Sequence, residues 1–387
     1  MAKELAFAMI NPYTIAKSRT GGILARYFGR TQLELVGARM FQPSQALADA
    51  YADLLLKTEH SKDHPRELLA DYVRRMYGPD SGGNLRRVMF LLFEGENACQ
   101  KVWEVTGGIA PNAVTGQTIR DTFGDYVLDE HKQVTYFEPA VMVARESAGC
   151  AAALKLWAKH AAKDGGICAE AGDVSRGGTV QRTLVLLKPD NFRHRSLRPG
   201  NLVDLLSRSG LRIVAVQKFN MTVAQAEKFY GPVKAVLEEK MFLIHGKRIG
   251  ATLAKEFEYQ IPDEALMAAC EKLAPAFAAA QFEQIVEFMT GFKPSTLTAA
   301  EKTTSGKEEC LALVYQGPDA VKTIRKLLGA TDPSKAEPGS VRREFGSDVM
   351  VNAAHASDSP ENAQREMEII NVAEDTLSKW VKQYYGA

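Results

Sequence analysis

The sequence predicts an α+β protein, an α/β sandwich built from two copies of one four-stranded antiparallel sheet with helices packed against it. Three observations lead there. Strand-type and helix-type patterns alternate in an order that occurs twice; short anchors recur in the same sequence in both halves; and a stretch rich in Gly, Ala and small polar residues, 163–180, separates the halves.

In the first half, residues 4–10 form an apolar run that reads as a buried strand, 11–20 as a loop, 21–29 as an amphipathic helix and 33–41 as a second strand. Helical periodicity follows over 44–56 and 65–76, and Asp80-Ser81-Gly82-Gly83 marks a turn. A third strand is expected at 88–93, a helix at 97–105, a fourth strand within 134–143 and a closing helix at 149–162.

The second half repeats this plan. Residues 181–187 read as a strand, 199–209 as a helix stopped by Gly210, and 211–219 as a strand. The anchors match in order: Asn11-Pro12-Tyr13 with Lys188-Pro189-Asp190, and Leu33-Glu34-Leu35-Val36 with Leu211-Arg212-Ile213-Val214. Farther along, Phe93-Glu94-Gly95 matches Tyr315-Gln316-Gly317, and Thr118 to Gly124 matches Ser340 to Gly346. The expected organisation is a tandem duplication: a first domain at 1–162, a linker at 163–180, and a second domain at 181–387 carrying a helical insertion at about 231–281. Each copy has the order of the split βαβ plan: two ferredoxin-like βαββαβ domains with antiparallel four-stranded sheets and extra helices. That plan hosts many functions and decides none.

Composition narrows the classes. The chain has 387 residues, 45% hydrophobic and 25% charged, enough for two or three packed cores. A balance of 48 basic to 47 acidic residues, net +1, gives no global reason to expect nucleic acid or a membrane surface, so any anion site must be local. The five cysteines, Cys99, Cys150, Cys168, Cys270 and Cys310, are far apart and contain no CxxC pair. They read as reduced thiols of a cytoplasmic protein and argue against zinc. The apolar run 5–10 ends at Asn11-Pro12 and is too short for a signal peptide or a membrane span.

One stretch concentrates chemistry: Val351-Asn352-Ala353-Ala354-His355-Ala356-Ser357-Asp358-Ser359-Pro360. It sets an imidazole between an amide and a hydroxyl, just before a helix start capped by Ser359 with Pro360 in the first turn. A histidine held there can act as a nucleophile toward an anionic group; the plainer reading is a loop histidine without a role. In the same half, Lys188 ends a strand, Arg325 sits in an expected helix at 319–328, Thr331 follows Gly329, and Arg342 lies in the loop after Pro338-Gly339. Singly each reads as a solvated charge or polar surface residue, but two guanidiniums, an ammonium and a hydroxyl together suit a polyphosphate.

In this order the set resembles the nucleoside diphosphate kinase family. The resemblance is carried by Leu187-Lys188-Pro189-Asp190, Tyr230, Val321-Lys322-Thr323-Ile324-Arg325, Gly329-Ala330-Thr331-Asp332-Pro333, Pro338-Gly339-Ser340-Val341-Arg342, the His355 stretch and Glu366. It implies His355 as the nucleophile in ping-pong phosphoryl transfer from a nucleoside triphosphate to a nucleoside diphosphate. It also implies Lys188, Arg325, Thr331 and Arg342 on the phosphates, Tyr230 near the transferred group, Asn352 on the sugar and phosphates, and Phe282 stacked on the base. Glu366 and Ser357 would orient the imidazole and the Tyr or Lys network, and Mg²⁺ would arrive on the nucleotide rather than in a protein cage. Base preference should be loose if the base meets only a stacking ring.

Four departures from the family pattern stand out. Ala356 replaces a usual Gly, which would strain the backbone if positive φ were required, and Asn191 replaces another that a left-handed Asn could satisfy. The segments 231–281 and 291–308 are extended. In the first half, Asn11, Trp103, Ile109 and about Pro139 stand where the second has Lys188, Arg325, Thr331 and His355; only Arg120 persists, matching Arg342. That copy should fold without catalysing, and the family's oligomeric habit suggests an internal pseudo-dimer, with a homo-oligomer possible.

The competing readings are a nucleotide-binding regulatory scaffold and an RNA-binding module, the latter opposed by the neutral charge and the lack of an RNP-type aromatic motif. His60, His64, His131, His160, His194 and His245 show no metal-ligand spacing and read as surface or packing residues, with His194 a minor candidate because it lies beside Arg193 and Arg195 in the loop after Lys188, a basic loop that could draw in a nucleotide.

Overall fold

The computed structural model describes residues 3–58, 65–109, 115–170 and 179–386. The chain divides into two compact units, one of Met1–Phe219 with Cys310–Ala387 and one of Asn220–Glu309.

The first unit contains both expected sheets. Its strands are β1 (Glu4–Ile10), β2 (Glu34–Phe41), β3 (Val88–Gly95), β4 (Asp125–Leu128), β5 (Val134–Glu138), β6 (Val141–Val143), β7 (Val180–Leu187), β8 (Arg212–Phe219), β9 (Cys310–Pro318) and β10 (Ala354–Ala356). One sheet has the order β2-β3-β1-β6, the other β8-β9-β7-β10, and every pairing in both is antiparallel. This is the ferredoxin-like order. The likeness reaches irregularities: β2 slips register against β3 between Leu35 and Gly37, and β8 slips against β9 between Ile213 and Ala215. Left-handed residues also recur, at Gln32 and Gly210, Asn97 and Asp319, and Ala140 and Ala353.

The inner strands are apolar on both faces. β1, β3 and β9 are buried almost from end to end, so period-2 alternation is lost and length decides strand over helix. Helices Thr20–Arg30 and Arg198–Ser207, one from each half, cross backbone to backbone. A Cβ on Gly21 would collide with the main chain of Asp204, and one on Gly200 with that of Ala25. Helix Thr376–Tyr385, late in the second half, is tied to the first: Ser378 Oγ donates to Ala158 O (3.1 Å) and Tyr384 donates to Glu94. Arg39 of β2 donates to Ala373 O (2.9 Å) and Glu374 O (2.7 Å).

Several expectations change. The loop expected at 11–20 contains a short helix, Pro12–Ala16, with Pro12 in its first turn. The expected fourth strand at 134–143 splits at Ala140, whose φ of 60° turns the chain. β5 pairs with β4 in a separate hairpin, and only β6 joins the sheet. Residues 163–170 are no detached linker: the helix Ser147–Asp164 runs into them, Gly165 bridges to Phe41, and Cys168 N donates to Val214 O (2.7 Å). The rest of that segment, 171–178, lies outside the described residues, as do His60 and His64.

The second unit is helical: Val223–Glu239, Met241–Phe257 and Asp263–Thr290. Its bounds are wider than the 231–281 insertion, because Thr222 caps the first helix through a reciprocal bond with Gln225 and Gly291 stops the last in a left-handed conformation (φ 74°). Among the described residues no helix is long and apolar enough to cross a membrane, and no cluster of three His, Cys, Asp or Glu could hold a metal. All five cysteines are free and buried.

Candidate active site

The site grows from two adjacent strand ends. β7 runs antiparallel to β10 with Leu186 opposite His355, and Lys188 N donates to Ala353 O (3.0 Å) where the pairing ends. Lys188 is buried; its Nζ donates to Asn352 Oδ1 (3.0 Å) and to Met350 O. Desolvation pushes this ammonium down to about 8, with Asp190 opposing the shift and Arg342 adding to it. Asn352 spends its amide on Thr331 O (3.1 Å) and Val349 O (2.8 Å), so it ties three loop segments together.

His355 is half-buried, and its Nε2 donates to Glu366 Oε2 (2.9 Å). The hydroxyl of fully buried Ser357 donates to the same oxygen (2.6 Å). Glu366 comes from helix Pro360–Ile369, whose start is capped as expected, with Asn362 N donating to Ser359 Oγ (3.1 Å). A carboxylate on Nε2 selects the tautomer that leaves the lone pair on Nδ1. Ser357 thus acts on the imidazole through Glu366, and among the described residues its hydroxyl makes no bond to a Tyr or Lys.

Ahead of His355, Ala353 holds the left-handed conformation at φ 69°. A brace accounts for it. Asn191 Nδ2 donates to Ala353 O (2.6 Å), Ala353 N donates to Asp190 Oδ2 (3.2 Å), and Arg198 grips both bracing side chains, donating to Asn191 Oδ1 (2.8 Å) and Asp190 Oδ2 (2.9 Å). Asn191 is therefore a buried linchpin without positive φ, and the strain expected at Ala356 is absent because Ala356 sits in β10 with ordinary φ. Sequence reading passed over Arg198: no periodicity or motif links it to a loop seven residues upstream.

Arg342 bonds to main-chain oxygens, Gly329 O (3.0 Å) and Ala354 O (3.1 Å), and so pins β10 to the end of helix Ala320–Leu328. Arg325 is exposed on that helix and Thr331 is exposed just beyond it. Tyr230 and Phe282 belong to the helical unit. Tyr230 is buried in Val223–Glu239 with its ring 4.9 Å from that of Phe229, and Phe282 is half-buried on Asp263–Thr290.

The first half shows what the same frame holds without these groups. Met142 of β6 faces Met9 as His355 faces Leu186, so Met142, not Pro139, is the structural counterpart of His355. Counting along the chain missed this because the β4–β5 hairpin lengthens the loop. Arg120 keeps the bonds of Arg342, to Gly107 O (2.9 Å) and Val141 O (3.2 Å), while Trp103 lies against its guanidinium (5.5 Å). Asn11, in the place of Lys188, donates to Glu138 (3.2 Å), which also accepts from Tyr72 (2.6 Å). Burial raises the Glu138 carboxyl against these hydrogen bonds.

A buried ammonium, a histidine fixed by a carboxylate and a loop-spanning amide are gathered at one sheet end. A family model described as nucleoside diphosphate kinase matches residues 278–375. A nucleoside diphosphate kinase of Parafrankia sp. is 31% identical over 191 residues, 49% of this chain and 95% of that protein. One from Archaeoglobus fulgidus is 29% identical over 203 residues, 52% of this chain and 93% of its own length, and one from Symbiobacterium thermophilum is 28% identical over 190 residues, 49% and 86%. The chain belongs to the nucleoside diphosphate kinase family.

Proposed function

We propose that this chain is a nucleoside diphosphate kinase that moves the γ-phosphoryl of a nucleoside triphosphate to a nucleoside diphosphate through phospho-His355. The observation that carries the reading is the His355–Glu366–Ser357 chain of hydrogen bonds beside buried Lys188. Nδ1 attacks the γ-phosphorus in line; the bond from phosphorus to the bridging oxygen breaks, and the nucleoside diphosphate leaves with that electron pair. Glu366 stabilises the positive charge that the ring acquires, and Lys188 and Arg342 stabilise charge on the phosphoryl oxygens. The second half-reaction is the reverse with a different nucleoside diphosphate.

Arg325, Thr331 and Asn352 complete the nucleotide contacts. The family resemblance assigns Tyr230 to the transferred group and Phe282 to the base, with loose base preference. Magnesium fits as a nucleotide-borne ion: the other groups gathered here are an ammonium, guanidiniums and amides, while the Glu366 carboxylate is committed to His355 and Ser357 and Asp190 Oδ2 to Arg198 and Ala353 N. When bound, Mg²⁺ neutralises charge on the phosphates.

The first half is a non-catalytic copy from a tandem duplication, serving as the fixed partner of the second in an internal pseudo-dimer, which leaves room for a homo-oligomer of whole chains. The reading includes a cytoplasmic protein. Initial rates with ATP and dTDP varied together test the mechanism. Parallel double-reciprocal lines are expected, and converging lines contradict a phosphoenzyme.

A further inference from the structure

The helical unit carries chemistry that the His355 site does not use, on its middle helix. Met241–Phe257 packs against Asp263–Thr290 through one face: the His245 ring meets that of Phe277 at 4.9 Å, and a Cβ on Gly250 would press on Leu266. The opposite face is open. Leu243, Lys247, Ala251 and Lys255 stand four apart along it, with Ile244, Arg248 and Thr252 in the next row, and all of these are exposed.

This face combines apolar surface with charge. Leu243 is 80% exposed and Ile244 58% at one end; Phe257 is 64% and Tyr259 60% exposed at the other. The two ends stand roughly 20 Å apart along the axis. Between them the charge has one sign. Lys240, Lys247, Arg248 and Lys255 occur before the first acid, Glu256. Arg248 donates to His245 Nδ1 (3.4 Å), and among the described residues neither it nor Lys247 or Lys255 joins an ion pair. In a chain of net charge +1 this local excess selects a negative partner.

The pattern decides which one. Aliphatic Leu243 and Ile244 offer no ring on which a base could stack, which sets nucleic acid aside. A helix that docks in a protein groove presents apolar anchors at i, i+3, i+4 and i+7, and here Lys247, Arg248, Ala251 and Lys255 interrupt that row. An anionic bilayer surface meets both properties, because apolar ends enter the interface while lysine and arginine stems lie along it and their heads reach the lipid phosphates.

We propose that the outer face of helix Met241–Phe257 docks this protein on an anionic lipid surface, with Leu243, Ile244, Phe257 and Tyr259 entering the interface and Lys247, Arg248 and Lys255 meeting the headgroups. The inference is independent of the chemistry at His355.

Flotation of the full chain with vesicles tests it, using phosphatidylcholine alone and phosphatidylcholine with about one-third phosphatidylserine. Wild type is expected to float with the mixed vesicles, to stay behind with the neutral ones, and to be released as salt rises. Lys247→Glu with Arg248→Glu should lower partition by about tenfold or more, and Leu243→Asp by about fivefold. These side chains are exposed, so the fold tolerates the changes, and an unaltered thermal melt checks that. No flotation of wild type, equal binding to neutral vesicles, or undiminished binding by both variants would each overturn the proposal. So would a wild-type oligomer that Leu243→Asp dissociates in the absence of any vesicle binding, which would give the face to a second copy of the chain.

Discussion

The two halves of the first unit use one backbone to opposite ends. Both place a left-handed alanine before a short edge strand, Ala140 before Met142 and Ala353 before His355. Both pin that strand with an arginine on the same pair of carbonyls, Arg120 on Gly107 and Val141, Arg342 on Gly329 and Ala354. What differs is the side chains at the strand end. In the second half they are an ammonium and a braced imidazole; in the first they are an amide, a thioether, an indole over the guanidinium and a buried carboxyl among tyrosines. The lesson is that Arg342 belongs to the scaffold as much as to the chemistry. Arg120 makes the same bonds in the half without Lys188 and His355 counterparts, which marks them as a structural requirement of the shared frame.

The largest expected effect separates the halves by nucleophile. His355→Asn should lower transfer by about 10⁴-fold or more, since no other group can take its covalent role. Met142→His should create no activity, because the first half has no equivalents of Lys188 and Arg325 to hold a triphosphate and none of Glu366 to orient the imidazole; turnover of the double variant with His355→Asn measures this. Next, Glu366→Gln should cut kcat by roughly 10–100-fold with a much smaller change in nucleotide affinity, as expected for misaligned attack. Equal loss in kcat and affinity would instead make Glu366 a binding residue.

The arginine pair gives a smaller, sharper contrast. Arg120→Ala and Arg342→Ala should each destabilise by about 1–3 kcal/mol for a buried carbonyl left without its donor. Only Arg342→Ala should also raise KM for nucleotide. Denaturant melts alongside kinetics separate the two effects.

The pH dependence follows from Lys188. Its charge is lost as pH rises through about 8, so kcat/KM should fall on that alkaline limb, and Lys188→Arg should remove the limb. The sign for stability is opposite. The unfolded chain keeps this lysine protonated to about 10.4, so between roughly 8 and 10.4 the unfolded state binds more protons and this group favours folding increasingly with pH. The smallest effect is at the brace: Ala353→Gly should change stability by under about 1 kcal/mol, because relief of a left-handed residue offsets added chain entropy.

Much of this was readable from sequence where function is written locally. The imidazole, its upstream amide, Ser357 and the Ser359 cap sit within one short stretch, and Glu366 follows one helix later. The order of strand and helix patterns also pointed to the ferredoxin-like plan, and the matching anchors to its recurrence in the second half. Three things were hidden. The counterpart of His355 was misplaced because the β4–β5 hairpin adds residues that a linear count cannot assign. The grip of Arg198 on Asp190, Asn191 and thereby Ala353 depends on how a loop folds back, which no periodicity encodes. The bonding of Arg342 to main-chain oxygens was masked by a side chain that equally suits phosphate.

The division of labour between the halves is tested most directly by intact mass at neutral to alkaline pH. Wild type and His355→Asn would be incubated with magnesium ATP and then freed of nucleotide. One added phosphoryl group is expected on wild type alone, discharged by a nucleoside diphosphate. An adduct that persists in His355→Asn, or none on wild type although nucleotide binds, would contradict it.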